Sequence, residues 1–219
     1  MTLTDNIHRG QQCPFFTMGY NNAGYLFRTF KPEELQFLRD EVSRIKETWD
    51  AAPHNQHLVG HIQRQYALDK KVYDQLESLL QPFVEEYPGR FPQFYNNVSI
   101  LSDSLPVKLQ SAWVNFQKKH EYNPVHDHDG LFSFVIWLDI PYNMEDERNH
   151  CESRVDTSGC FCFYYINQFG AITDMLIPAD KKAENTALFF HAGFKHAVYP
   201  FYTSDNYRIS VSGNFCLKV

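Results

Sequence analysis

From about Leu105 onward the chain is a series of short runs rich in Val, Ile, Phe, Tyr and Trp, at 107–118, 123–127, 131–140, 160–167, 170–177, 186–191, 194–200 and 206–217. Turn residues punctuate them, including Asp129-Gly130, Ile140-Pro-Tyr-Asn143, Thr157-Ser-Gly159, Phe169-Gly170 and Thr203-Ser-Asp-Asn206. A parallel α/β sheet needs a helix between successive strands, and no helical period intervenes here. Eight consecutive strands of this kind predict a sandwich or barrel. The aromatic content of 16% suits such a surface, because flat rings pack well on a pleated sheet.

The first half reads differently. Between Lys31 and about Ala51, Leu35, Leu38, Val42, Ile45 and Trp49 recur at helical spacing, with Pro32 and two acids at the start. A second helix is predicted from about Lys70 to Glu86, burying Val72, Leu76, Leu79, Leu80 and Val84, and Pro88-Gly-Arg-Phe-Pro92 is expected to break it. Both helices would cover the outside of one sheet. The segment from Asn143 to Ser158 is long and charged, the profile of a lid or binding loop. The 219 residues show no internal repeat and suffice for one sizeable domain.

Composition excludes several classes. A net charge of −6 argues against a nucleic-acid polyanion as the main partner. No run reaches the roughly 18 apolar residues that cross a bilayer, and the first residues lack the apolar core of an export signal. The five cysteines are scattered without zinc-finger spacing. Cys160 and Cys162 would share one strand face as buried free thiols, so a reducing, cytoplasmic setting is expected.

The chemistry concentrates in Asn123-Pro-Val-His126-Asp127-His128-Asp129-Gly130. In an extended chain residues two apart share a face, so His126 and His128 lie on one side and Asp127 and Asp129 on the other. A His-x-His pair alone is equally a solvated polar turn. Two further stretches add weight to it. His196 lies within one apolar run, and Arg208-Ile-Ser210 opens the next, where a β core favours apolar residues. A buried Arg needs an anionic partner, either an acidic side chain or a ligand.

Taken together, His126-x-His128, His196 after 68 residues and Arg208 after 12 more resemble the iron(II)- and 2-oxoglutarate-dependent oxygenases. Trp113-Val-Asn115 upstream and Arg208-Ile-Ser210 at the end agree with that pattern. The resemblance covers 107–217, and it is greatest to hypothetical oxygenase-like proteins of marine bacteria and their phages, which makes a phage gene one expected source. It implies iron(II) held by His126, His128 and His196, with the metal's open positions left for a 2-oxoacid and dioxygen. Arg208 would grip the distal carboxylate of 2-oxoglutarate, with Ser210 adding a hydroxyl donor. Asn115 and Tyr122, on the strand leading into the motif, are candidates to hydrogen-bond the 2-oxoacid or the substrate.

The family's second ligand is normally a carboxylate, whereas His128 occupies that position here. Regular strand geometry favours His128, and a turn at the strand end would bring Asp127 or Asp129 to the metal instead. The expected fold is mainly β with flanking helices, a single domain over 1–219. It comprises a helical N-terminal support region over 1–105 and a double-stranded β-helix (jelly roll, cupin-like) core over 106–219. Its substrate is a small molecule or a peptide. The competing functions are a cupin-like metalloenzyme that does not use 2-oxoglutarate, which would not require Arg208, and a non-enzymatic β-sandwich binding module. The sequence does not specify an oligomeric state.

Overall fold

The computed structural model describes residues 16–20, 23–92 and 106–218. Seven strands make one antiparallel sheet. In spatial order they are β1 (Phe16–Tyr20), β2 (Ala23–Thr29), β9 (Thr186–His191), β6 (Phe132–Asp139), β11 (Arg208–Leu217), β4 (Val107–Gln117) and β3 (Arg64–Ala67). A second sheet holds β5 (Asn123–His126), β10 (His196–Val198), β7 (Cys160–Ile166) and β8 (Ile172–Pro178). Each of the eight expected runs forms a strand within a few residues of its predicted limits. Strand order departs from sequence order throughout the second half, so the two sheets interleave and face each other.

The helices form as expected and lie against the larger sheet. Helix α1 (Gln36–Thr48) follows a short 3-10 turn at Pro32–Leu35 and ends at Trp49 in the left-handed region. Its buried stripe is Leu38, Val42 and Ile45. Helix α2 (Tyr73–Arg90) buries Leu76, Leu80, Phe83, Val84 and Tyr87. It runs through Pro88, beyond the predicted end at Glu86. A proline this close to the end removes one helical hydrogen bond, and packing of Phe83, Val84 and Tyr87 into the core holds the last turns in place.

Two expectations about the first half and the 143–158 segment need correction. Residues before 106 do not form a purely helical support, because β2 and β3 extend the larger sheet on both sides. Arg64-Gln-Tyr-Ala67 is an edge strand with little apolar alternation, so its pairing with β4 leaves no local signature. The charged segment contains helix α3 (Met144–His150), pinned by the buried Met144 and Glu147. Glu147 accepts hydrogen bonds from the backbone N–H groups of Tyr202 and Thr203 at 2.9 Å, which explains an acid in an interior position.

The larger sheet has two different faces. Val114, Phe116, Leu138, Ile209 and Val211 point towards the helices and form the main core. On the opposite face Trp137, Val135 and Phe190 meet Phe161, Phe163 and Phe201 across the gap between the sheets. Arg208, Ser210 and Ser212 alternate with Ile209 and Val211, so they also face the gap. No helix among the described residues is long and apolar enough to cross a membrane.

Candidate metal centre and its cavity

Strand β5 carries His126, and β10 begins with His196. The two are direct partners in the antiparallel ladder, with ring centroids 4.2 Å apart. His128 follows β5, where its backbone N–H donates to the Ala192 carbonyl at 3.0 Å. That bond brings its ring to 5.0 Å from His126 and 5.1 Å from His196. One nitrogen from each of the three rings lies within 4.8 Å of the others, close enough to share one metal ion. No carboxylate or thiolate of the described residues joins the group. Asp127 turns outward to an ion pair with Lys195 at 2.8 Å, and Asp129 is exposed.

The tautomers are fixed by the backbone. A carbonyl oxygen only accepts, so His126 Nδ1, 2.7 Å from the Pro124 carbonyl, carries the proton. The same holds for His196 Nδ1 and the Phe194 carbonyl at 2.8 Å. In both rings the Nε2 lone pair is therefore free for a metal, the arrangement that protein metal sites commonly use. Burial holds all three imidazoles neutral. It lowers the His126 and His196 pKa values, and it takes His128 down to about 4 with help from the neighbouring His126. A neutral imidazole is the ligating form.

The cluster opens onto a narrow cavity of about 50 Å³, partly open to solvent, whose floor is a polar stripe on the larger sheet. Strands β11 and β4 pair Arg208 with Gln117, Ser210 with Asn115 and Ser212 with Trp113. Asn115 is the hub of the stripe. Its Oδ1 accepts from Gln65 Nε2 at 2.8 Å and Trp113 Nε1 at 3.1 Å, and its Nδ2 donates to the hydroxyls of Ser210 and Ser212. Trp113 stands at the metal end, 5.9 Å from the His128 ring. The 53–63 loop closes one side with Leu58, Val59 and Ile62, while His54 stacks on Trp113.

Arg208 lies at the other end of the stripe and is 2% exposed. Its Nε and Nη2 donate to Gln117 Oε1 at 3.1 and 2.6 Å. Nη1 donates to the Tyr142 hydroxyl at 2.6 Å and the Gly159 carbonyl at 3.0 Å, and Nη2 also reaches the Tyr199 carbonyl. Burial pushes the Tyr142 phenol up to about 12, so this partner is neutral too. Gly159 has φ +68°, and a Cβ there would come within 2.7 Å of the Tyr142 ring; only glycine fits. Arg208 makes no ion pair with any described carboxylate. These neutral groups take all five of its N–H donors, so an anion in the cavity would bind Arg208 by displacing one of them.

Of the residues singled out from the sequence, His126, His128, His196, Asn115, Arg208 and Ser210 all line this one cavity. Tyr122 does not: it is 38% exposed and packs against His61. His191 stays outside the cluster and accepts from the Gly193 N–H at 2.7 Å. Trp137 is both core and cavity wall. Gln117 and Tyr142 emerge only with the structure. Gln117 could have been found from Trp113-Val-Asn-Phe-Gln117, where polar residues alternate with apolar ones on a strand.

No family model and no curated protein matches the chain. Solved structures do match in fold. A Pseudomonas putida prolyl-4-hydroxylase superposes with a TM-score of 0.56 at 13% identity, covering 90% of this chain and 94% of that one. HygX from Streptomyces hygroscopicus, solved with nickel, 2-oxoglutarate and hygromycin B bound, gives 0.55 at 12% identity, covering 90% and 84%. A Trichoplax adhaerens prolyl hydroxylase in complex with a hypoxia-inducible-factor peptide gives 0.53 at 12% identity, also covering 90% and 84%. The chain therefore shares the overall fold of these enzymes.

Proposed function

We propose that the chain is an iron(II)- and 2-oxoglutarate-dependent oxygenase, a hydroxylase of a small molecule or peptide, built on a double-stranded β-helix. The observation that carries this reading is the pairing of two features in one cavity. Three neutral imidazoles converge at one end, and a buried guanidinium with no carboxylate partner among the described residues lies at the other. HygX, a neighbour in fold, binds 2-oxoglutarate and nickel, which fits the same pairing.

The residues present fit the metal and the cosubstrate. Imidazole suits iron(II), and three ligands on one side leave positions for a chelating 2-oxoacid. Bound iron(II) and 2-oxoglutarate would supply oxidation of a substrate C–H bond by dioxygen, coupled to release of succinate and carbon dioxide. The chain's own part is placement. His126, His128 and His196 would hold the metal, with two of the rings locked by the Pro124 and Phe194 carbonyls. Arg208 would bind the distal carboxylate by exchanging a neutral partner such as Gln117 Oε1 for a carboxylate oxygen, while Tyr142 and the Gly159 carbonyl hold the guanidinium and Ser210 adds a hydroxyl. The aromatic walls would keep water out and strengthen each charged contact.

The whole chain acts as one domain in this reading, since α1, α2, β2 and β3 complete the larger sheet and its core. The free, buried Cys160 and Cys162 support a cytoplasmic setting. One feature favours the second reading, a cupin-like metalloenzyme without 2-oxoglutarate: among the described residues the donor set contains no carboxylate. The two readings part on consumption of the cosubstrate. Iron-loaded protein in air should convert 2-oxoglutarate to succinate, and His196→Ala should not; equal rates from both proteins would reject the oxygenase reading.

A further inference from the structure

We propose that this cavity takes, in addition to 2-oxoglutarate, one monoanionic group on an apolar body: the substrate is an organic acid, and Ser212 helps to bind its carboxylate. The inference rests on the oxygenase reading and deepens it. Among the described residues the cavity lining contains no Asp, Glu or Lys, and Arg208 is its only permanently charged side chain. The buried acid nearby in sequence, Glu147, spends its oxygens on Tyr202 and Thr203 and lies outside the lining. Asp127 is neutralised at the surface by Lys195.

The charges can therefore be counted. A divalent metal on three neutral imidazoles contributes two positive charges, and Arg208 contributes a third. The two carboxylates of 2-oxoglutarate cancel two of these, leaving one positive charge in a largely buried space. With a carboxylate in place of His128 the sum would be zero. Uncompensated charge in a low-dielectric cavity is costly, so an incoming anion is favoured over its neutral isostere.

The polar stripe provides a place for that anion. Ser212 accepts from Asn115 Nδ2 at 3.1 Å, so its own hydroxyl proton remains available to donate. It lies two residues beyond Ser210, opposite Trp113 on β4 and Val135 on β6, at the metal end of the stripe. Leu58, Val59 and Ile62 face the same space from the 53–63 loop and suit an aliphatic or aromatic body.

The test uses iron(II)-loaded protein saturated with 2-oxoglutarate under anaerobic conditions, followed by its visible charge-transfer band. Hexanoate, hexanamide and azide are the probes. Hexanoate should perturb the band without abolishing it, at a concentration about tenfold or more below that needed for hexanamide. Ser212→Ala should weaken hexanoate and leave hexanamide unchanged, and His128→Asp should erase the preference. Equal affinities for acid and amide would overturn the proposal, as would a preference that survives His128→Asp or a hexanoate effect that arises only by displacing 2-oxoglutarate. A response to azide but not to hexanoate would also overturn it, assigning the vacant charge to an inorganic monoanion. If the band never forms, the oxygenase reading itself fails, which separates the two outcomes. The acid–amide comparison needs no variant, so a poorly folding substitution does not block it.

Discussion

His126 and His196 sit directly opposite each other in the β5–β10 ladder, their rings 4.2 Å apart and each Nδ1 bound to the carbonyl two residues before it. Neither ring can turn without breaking that bond, so their free nitrogens are set before any metal arrives. Such preorganisation lowers the cost of binding.

His196→Ala should therefore remove most of the metal. We expect iron(II) affinity, measured by anaerobic titration of the apoprotein, to fall by about 10-fold or more. His54→Ala, which alters ring contacts with Trp113 and His57 and touches none of the three ligands, should leave the affinity unchanged. Equal iron content in the two variants would remove the three-His centre.

Asp127→Ala separates the two possible ligand sets. The Asp127–Lys195 pair is exposed, so its loss should cost less than about 1 kcal/mol of stability. Metal content should stay at the wild-type level. A large fall would mean that the turn rearranges to bring this carboxylate to the metal.

Arg208→Met should keep the metal and weaken 2-oxoglutarate by about 2–5 kcal/mol, the scale for losing one partner of a buried charge pair. Lysine should rescue only in part, because it lacks the planar fork. Thermal unfolding gives an independent readout: 2-oxoglutarate should raise the melting temperature of the metal-loaded wild type and leave that of Arg208→Met unmoved.

Asn115→Ala tests the floor of the cavity. It strands the Gln65 Nε2 and Trp113 Nε1 donors in the interior, at a cost of about 1–3 kcal/mol each. Urea unfolding should show that loss. Unchanged stability would mean that the polar stripe is not a connected network.

The second half of the chain could be read closely because its signals are local. Alternation such as Arg208-Ile-Ser-Val-Ser212 separates two faces, and the structure places Ile209 and Val211 towards the helices and Arg208 in the cavity. The His-x-His pair likewise carries its geometry in its spacing. What escaped is non-local. Strand β3 joins β4 through backbone bonds that leave no apolar pattern, and Tyr142 reaches Arg208 across 66 residues of sequence. Tyr122 was a reasonable candidate by position, yet it turns to His61 at the surface. Helix α3 was hidden because its charged residues mask the two buried positions that anchor it.

The most direct measurement is an anaerobic titration of the apoprotein with iron(II) and then with 2-oxoglutarate, observed in the visible spectrum. The three imidazoles and Arg208 should together produce a metal-to-ligand charge-transfer band that saturates at one 2-oxoglutarate per iron and is lost in His196→Ala. Stoichiometric iron binding with no band on adding 2-oxoglutarate would contradict the oxygenase assignment and favour a metalloenzyme that works without the cosubstrate.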